Sequence, residues 1–274
     1  PFKYSYPLMF SDLSQLLYDV VDRYILKGFV SLEKIGVYDL GYKVSGFYNA
    51  LLGSAISQAL PPIIYKEENS NNKINLFIKK QSFYYLIIGM WFWLLISLFC
   101  DDIINFFLKD NHEYKDLSIL IPILLLSNVM HVLGYFLSWG IILKEKSWTM
   151  TLNMFLSVFL NITLNFLLIP IFGILGAALA TLISCVFWNC LKAYFSKKFS
   201  NFDLETKKML SVVLVAILLF IVTQNFSANN YSLLFFIFLK AIMGFLFLLY
   251  VYFIVLSRME KRKIKTIVKL YFKS

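Results

Sequence analysis

Ser5, Asp12, Gln15, Asp19, Asp22 and Arg23 fall within an arc of about 100° if the segment that carries them is a helix of 3.6 residues per turn. In an apolar medium each ionisable group costs at least about 2.5–3.5 kcal/mol at mid-membrane depth on insertion scales, so such a face needs partners or water. Two chemistries fit. One is a water-filled path for an ion or polar substrate, and the other is a buried face that pairs internally, with Asp19 and Arg23 one turn apart. Asp12 has no basic residue one turn away and favours the path.

A second stripe follows, with Asp39, Lys43, Gly46, Ala50, Gly53 and Ser57 at helical spacing. At 1.5 Å rise per residue, Arg23 and Asp39 lie at similar depth beneath the short connection around Val30 to Lys34, which suits a hairpin salt bridge. Lys43 is then left with Asp39 alone as a local partner and is the candidate for meeting an anionic ligand. Further along, Thr149, Asn153, Ser157, Asn161 and Asn165 recur every four residues. Amides in such a row either hydrogen-bond neighbouring helices, the commoner use, or line a path for a polyhydroxylated ligand. Gly176 and Ala180 form a small-xxx-small pair, which points to close helix packing. His131 stands alone near the middle of its segment, either as a satisfied packing residue or as a protonatable cavity group. Lys240 either snorkels or faces a groove.

The elements that must position these groups follow from composition. Of 274 residues, 59% are apolar and 15% charged, against about 45–50% and about 25% in an ordinary soluble domain. The apolar excess runs in long blocks, so the expected fold class is an all-α integral membrane protein. A soluble enzyme, a nucleic-acid-binding domain and a disordered chain are all excluded. With about 20 apolar residues per crossing, eight transmembrane helices are expected near 5–29, 35–64, 76–100, 117–143, 147–169, 173–196, 209–226 and 232–256.

An even number of crossings puts both ends on one side, and the distribution of Lys and Arg identifies that side as cytoplasmic. Most of the 26 basic residues then lie on inner segments: Lys3; Lys66 to Lys80; Lys144 and Lys146; Lys192 to Lys208; and the tail from Arg258 to Lys273. The outer connections are short and uncharged, or acidic, as with Asp101, Asp102, Asp110, Glu113 and Asp116. The net charge of +10 is explained by topology and anionic lipid, without a nucleic-acid partner.

Cys100, Cys185 and Cys190 have no C-x-x-C spacing and indicate neither a disulfide framework nor a zinc site. No P-loop, H-E-x-x-H or G-x-S-x-G occurs. No cofactor, metal or catalytic centre is expected, and the chain is read as a non-enzyme. It opens at Pro1 without an initiator Met or signal-peptide pattern and reads as the C-terminal piece of a longer protein.

The stretch Tyr6 to Tyr65, with "DRYILKGFVSLEKIGVYDLGYKVSGFYNALLGSAISQALPPIIY", resembles the start of the second lobe of the polysaccharide flippases of the multidrug/oligosaccharidyl-lipid/polysaccharide exporter superfamily. "NITLNFLLIPIFGILGAALATLIS", Asn161 to Ser184, resembles their eleventh and twelfth helices, and "ILKEKSW" fits the inner loop between the tenth and eleventh. The resemblance covers residues 1–198; the last two helices agree in number and position only. It implies a Wzx-like flippase of fourteen helices, of which residues 1–198 are the six-helix second lobe, 199–256 two additional helices and 257–274 a basic cytoplasmic tail. Half of any central cavity then belongs to the first lobe.

The resemblance further implies movement of undecaprenyl-diphosphate-linked oligosaccharide across the bacterial inner membrane by alternating access, for O antigen or capsule. Its partners would be that lipid-linked substrate, membrane lipids, and a polysaccharide polymerase or chain-length regulator. Under it, Arg23 or Lys43 would meet diphosphate or acidic sugars, Asn153, Asn161 and Asn165 would meet hydroxyls, and Asp12 and Asp19 would carry protons or sodium in an ion-coupled cycle. Two alternatives stand beside it: a cation-coupled multidrug exporter of the same superfamily, and a non-transporting scaffold for polysaccharide assembly, which predicts paired charges and no wet cavity.

Overall fold

A computed structural model describes residues 2–66, 71–108, 114–200, 202, 204–225, 233–258 and 260–262. Regular structure among them is entirely helical. Helix α1 is Phe2–Leu26, and α2 is Leu32–Tyr48. A π turn, Asn49–Gly53, joins α2 without a break to α3, Ser54–Lys66. Then follow α4 (Asn71–Leu108), α5 (Leu117–Ile142), α6 (Ser147–Phe172), α7 (Ile174–Ser200), α8 (Thr206–Gln224) and α9 (Leu233–Tyr250). A second π turn, Val251–Val255, extends α9.

Six of these helices are long and apolar enough to cross a membrane: Lys73–Phe107, Leu117–Ile142, Ser147–Phe172, Ile174–Ser200, Thr206–Gln224 and Phe235–Val255. The chain is an all-α membrane protein. The remaining two of the eight expected crossings, α1 and the continuous α2–α3 rod, carry the charged stripes and are not among the six. In the structure α1 packs along α6, and α2 along α5.

The acidic connection expected after the third crossing is partly helical instead. Asp101 and Asp102 lie within α4, whose 38 residues rise about 57 Å, well beyond the ~30 Å apolar core of a bilayer. Asp110 and Glu113 lie outside the described residues, as do Lys263, Lys265, Lys269, Lys273 and most of the expected tail; the side chain of Lys3 does too.

The helices sort into two compact units. The first contains α1 to α3, α5 to α7 and the two ends of α4. The second contains residues 86–99 of α4 and the chain from 205 onward. Within the second, Trp93 packs against Phe220 with ring centroids 5.6 Å apart. Lys240 there is buried, with its ammonium 4.4 Å from the Phe236 ring. The Phe99 ring lies 5.6 Å from the same ammonium.

Within the first unit, α6 and α7 form a tight antiparallel hairpin. A Cβ on Gly176 would overlap the backbone carbonyl of Leu168, so only glycine allows α7 to start this close to the end of α6. Ala177, Ala178 and Ala180 are fully buried beyond it.

Candidate functional site

The first unit contains a half-open cavity of about 590 Å³. Its walls come from α1, α2, the first π turn, α5, α6 and α7. The lining is polar and aromatic where the outer faces of the same helices are apolar, which is the inverse of a packed core.

Helix α7 is registered on α5 by polar side chains that reach backbone carbonyls. Asn189 Nδ2 donates to Met130 O at 2.6 Å, Ser196 Oγ to Leu137 O, and Ser200 Oγ to Gly140 O at 2.6 Å. Cys185 Sγ lies 3.5 Å from Ser127 O in the same series. Both numbers rise together along the series, so the two helices run parallel. The close approach depends on Gly140, where a Cβ would come within 2.8 Å of the Ser196 Cα. Such side-chain to backbone bonds are the usual glue between membrane helices, where apolar contact alone gives little preference over lipid.

Helix α1 is joined to this frame at two levels. Thr151 Oγ1 on α6 donates to Pro7 O at 2.6 Å, and Tyr18 donates to Thr181 O on α7 at 2.9 Å while lying 2.8 Å from Ser184 Oγ. Tyr18 also packs with Met154 and Val158 of α6. The polar face of α1 therefore turns toward α5 and α7, and Ser11, Asp12, Gln15 and Asp19 line the cavity. Asp19 accepts from Gln15 Nε2 at 3.1 Å, and Asp12 is exposed on the wall.

Asp12, Asp19, His131 and Asn153, among the residues singled out from the sequence, lie on the cavity wall; Arg23, Lys43, Asn161 and Asn165 do not. Arg23 Nε donates to Asp39 Oδ1 at 2.9 Å and its guanidinium sits 4.3 Å from the Tyr42 ring. Its side chain reaches across to Asp39 rather than back to the Asp19 carboxylate, and only the backbone oxygen of Asp19 accepts from it, at 2.6 Å. Lys43 pairs with the other oxygen of Asp39 at 2.8 Å and is 73% exposed. Asp22, 2% exposed, accepts from the Tyr38 hydroxyl. These charges close the α1–α2 hairpin on one another.

The amide row on α6 divides. Asn161 Nδ2 donates to Ser184 Oγ at 3.2 Å and Asn165 Nδ2 to Asn161 Oδ1 at 3.0 Å, both buried between α6 and α7. Asn153 faces the cavity, is 1% exposed, and neither atom of its amide has a hydrogen-bond partner among the described residues. His131 lines the same space with its ring 5.6 Å from Tyr135 and 5.5 Å from Trp188; its Nδ1 is also without a partner there.

Sequence reasoning missed Lys192 and Trp188. The charge distribution counts Lys192 only with the basic residues of an inner segment, at the end of the expected 173–196 crossing; in the structure it lies in α7, 7% exposed, on the cavity wall. Trp188, one turn earlier, would be assigned by composition to lipid or the interface, yet it lines the cavity too. The signal was present in the helical spacing of Thr181, Cys185, Asn189, Lys192 and Ser196, a polar stripe inside an apolar crossing. The π turn at Asn49–Gly53, which carries Asn49 to the wall, had no such signal.

No protein-family model matches the chain, and no curated protein sequence matches it. Among solved structures, the chain is similar to the lipid II flippase MurJ in an inward closed conformation, with a TM-score of 0.67 and 16% sequence identity. The similarity covers 91% of this chain and 54% of MurJ, so the chain spans about half of that protein's length and shares its fold over that half.

Proposed function

We propose that the chain is the second lobe and C-terminal helices of a flippase that moves an undecaprenyl-diphosphate-linked oligosaccharide across the bacterial inner membrane, for O antigen or capsule, by alternating access. In this reading residues 1–198 form the lobe, 199–256 add two helices, and both ends of the segment face the cytoplasm. The observation that carries it is the cavity of about 590 Å³ whose wall combines carboxylates, amides, aromatic rings and one buried lysine. Ligand pockets commonly run about 300–1,000 Å³. Planar amides and aromatic faces match the hydroxyls and apolar faces of sugars, and a membrane scaffold has no use for polar groups left without partners. The fold shared with a lipid II flippase supports cargo of this general kind.

The test is genetic and uses the full-length parent protein. Deleting its gene should cause lipid-linked oligosaccharide to accumulate on the cytoplasmic side while surface polysaccharide is lost. Wild type should rescue, and Asp19→Ala or Asn153→Ala should rescue poorly.

The carboxylates Asp12 and Asp19 on the wall favour a second reading, a cation-coupled multidrug exporter. Unchanged surface polysaccharide with increased drug sensitivity in the same deletion strain would select it.

A further inference from the structure

Lys192 is a buried cation with no carboxylate within ion-pair distance among the described residues. Its ammonium lies 3.2 Å from the centroid of the Trp188 ring, a cation–π contact. Room for it comes from Gly134 on α5, where a Cβ would stand 2.7 Å from Nζ. The surrounding wall holds His131, with an unpartnered Nδ1, and the Cys185 thiol. The carboxylates that line the cavity, Asp12 and Asp19, belong to α1. An ammonium held this way keeps one aromatic contact in place of a hydration shell, and a charge so placed costs stability unless something completes it.

We propose that Lys192 is the anion-binding group of this cavity, seated on Trp188, and that its ligand is an acidic group of the transported molecule: the diphosphate of a lipid-linked saccharide or the carboxylate of an acidic sugar. The inference rests on the flippase reading for the identity of the cargo, though not for the existence of the site. The aromatic contact holds the ammonium against one wall while leaving its N–H groups to donate to an oxyanion, and charge-assisted bonds of that type are among the stronger polar contacts. Arg23 and Lys43 are not comparable, since each already holds Asp39.

The experiment uses the purified full-length parent protein in detergent and two probes, inorganic diphosphate and galacturonate. Binding is followed by calorimetry and by tryptophan emission, with Trp188→Phe identifying the part of the signal that comes from this ring. Wild type should bind at least one probe, and Lys192→Met should weaken that binding at least about tenfold, the effect of one lost charge-assisted contact. Lys192→Arg should retain binding, and Lys192→Met should melt at the same or a higher temperature, because it removes a buried charge without opening a void. A response to diphosphate alone assigns the ligand to the lipid linkage, and a response to galacturonate alone assigns it to the sugar. Absence of binding to both probes, or equal binding by wild type and Lys192→Met, overturns the proposal.

Failure here is distinguishable from failure of the flippase reading. Anion binding that depends on Lys192, together with no accumulation of lipid-linked saccharide in the deletion strain, keeps the site and removes the flippase. Accumulation without any anion response does the reverse.

Discussion

Arg23 and Asp39 are sixteen residues apart in sequence and 2.9 Å apart in space, and this contact closes the first helical hairpin. Both side chains are partly shielded, at 25% and 33% exposure, and the guanidinium also covers the Tyr42 ring. Arg23→Ala should therefore lower stability by about 1.5–3 kcal/mol, the range for hydrogen bonds to charged groups. Arg23→Lys should recover only part of it, because lysine lacks the planar fork that holds Asp39 while stacking on a ring. Lys43→Ala, at an exposed position, should cost no more than about 1 kcal/mol. Thermal unfolding in detergent, with an Arg23/Asp39 double-mutant cycle, checks the coupling.

Two glycines on α5 should respond differently to alanine. At Gly140 the new methyl meets the Ser196 Cβ at 2.6 Å and its Cα at 2.8 Å, so the two backbones must separate. The expected loss is about 1–3 kcal/mol, with the Ser200 to Gly140 bond weakened. At Gly134 the obstructing atoms are the ends of two side chains, Asn189 Oδ1 at 2.6 Å and Lys192 Nζ at 2.7 Å, which can move aside. Gly134→Ala should cost less stability but displace the ammonium from Trp188. Melting temperature and tryptophan emission, measured on both variants, separate the two effects.

The amides of α6 should split along the same division as their contacts. Asn153→Leu removes a buried amide that has no hydrogen-bond partner among the described residues and should raise stability by about 1 kcal/mol while impairing transport, since an unsatisfied buried polar group costs about 1–3 kcal/mol. Asn161→Leu removes a donor to Ser184 and an acceptor for Asn165. It should lower stability by about 0.6–2 kcal/mol, the range for interhelical hydrogen bonds in membranes. Thermal melts paired with the accumulation of lipid-linked saccharide distinguish a cavity residue from a packing residue. A loss of stability in Asn153→Leu would remove Asn153 from the site.

Orientation is tested by thiol labelling of intact cells in a Cys190→Ser background. A cysteine at Phe29, in the connection after α1, should react with a membrane-impermeant maleimide from outside. A cysteine at Lys144, in the connection after α5, should react only after permeabilisation. The opposite pattern would invert the assignment of the termini.

Composition alone determined that the chain is helical and membrane-embedded, because 59% apolar residues in long blocks have no soluble solution. Spacing also located the helices to within a few residues, except α4, which runs on to Leu108, and placed Arg23 level with Asp39, since depth along a helix follows from rise per residue. Which polar residues face one another was decided only by tertiary structure. Asn153 and Asn161 are two turns apart on the same helix and look alike in sequence, yet one meets a cavity and the other meets Ser184. That difference comes from where α1 and α7 cross α6. Lys192 is the sharpest case. Its position near the end of the expected 173–196 crossing suits the inner end of a helix, whereas the bonds of Asn189, Ser196 and Ser200 to α5 fix a register that rotates it inward, and glycine at 134 leaves the space it occupies. Helix phase relative to a neighbour is a property of contacts between segments, and a single helix does not contain it.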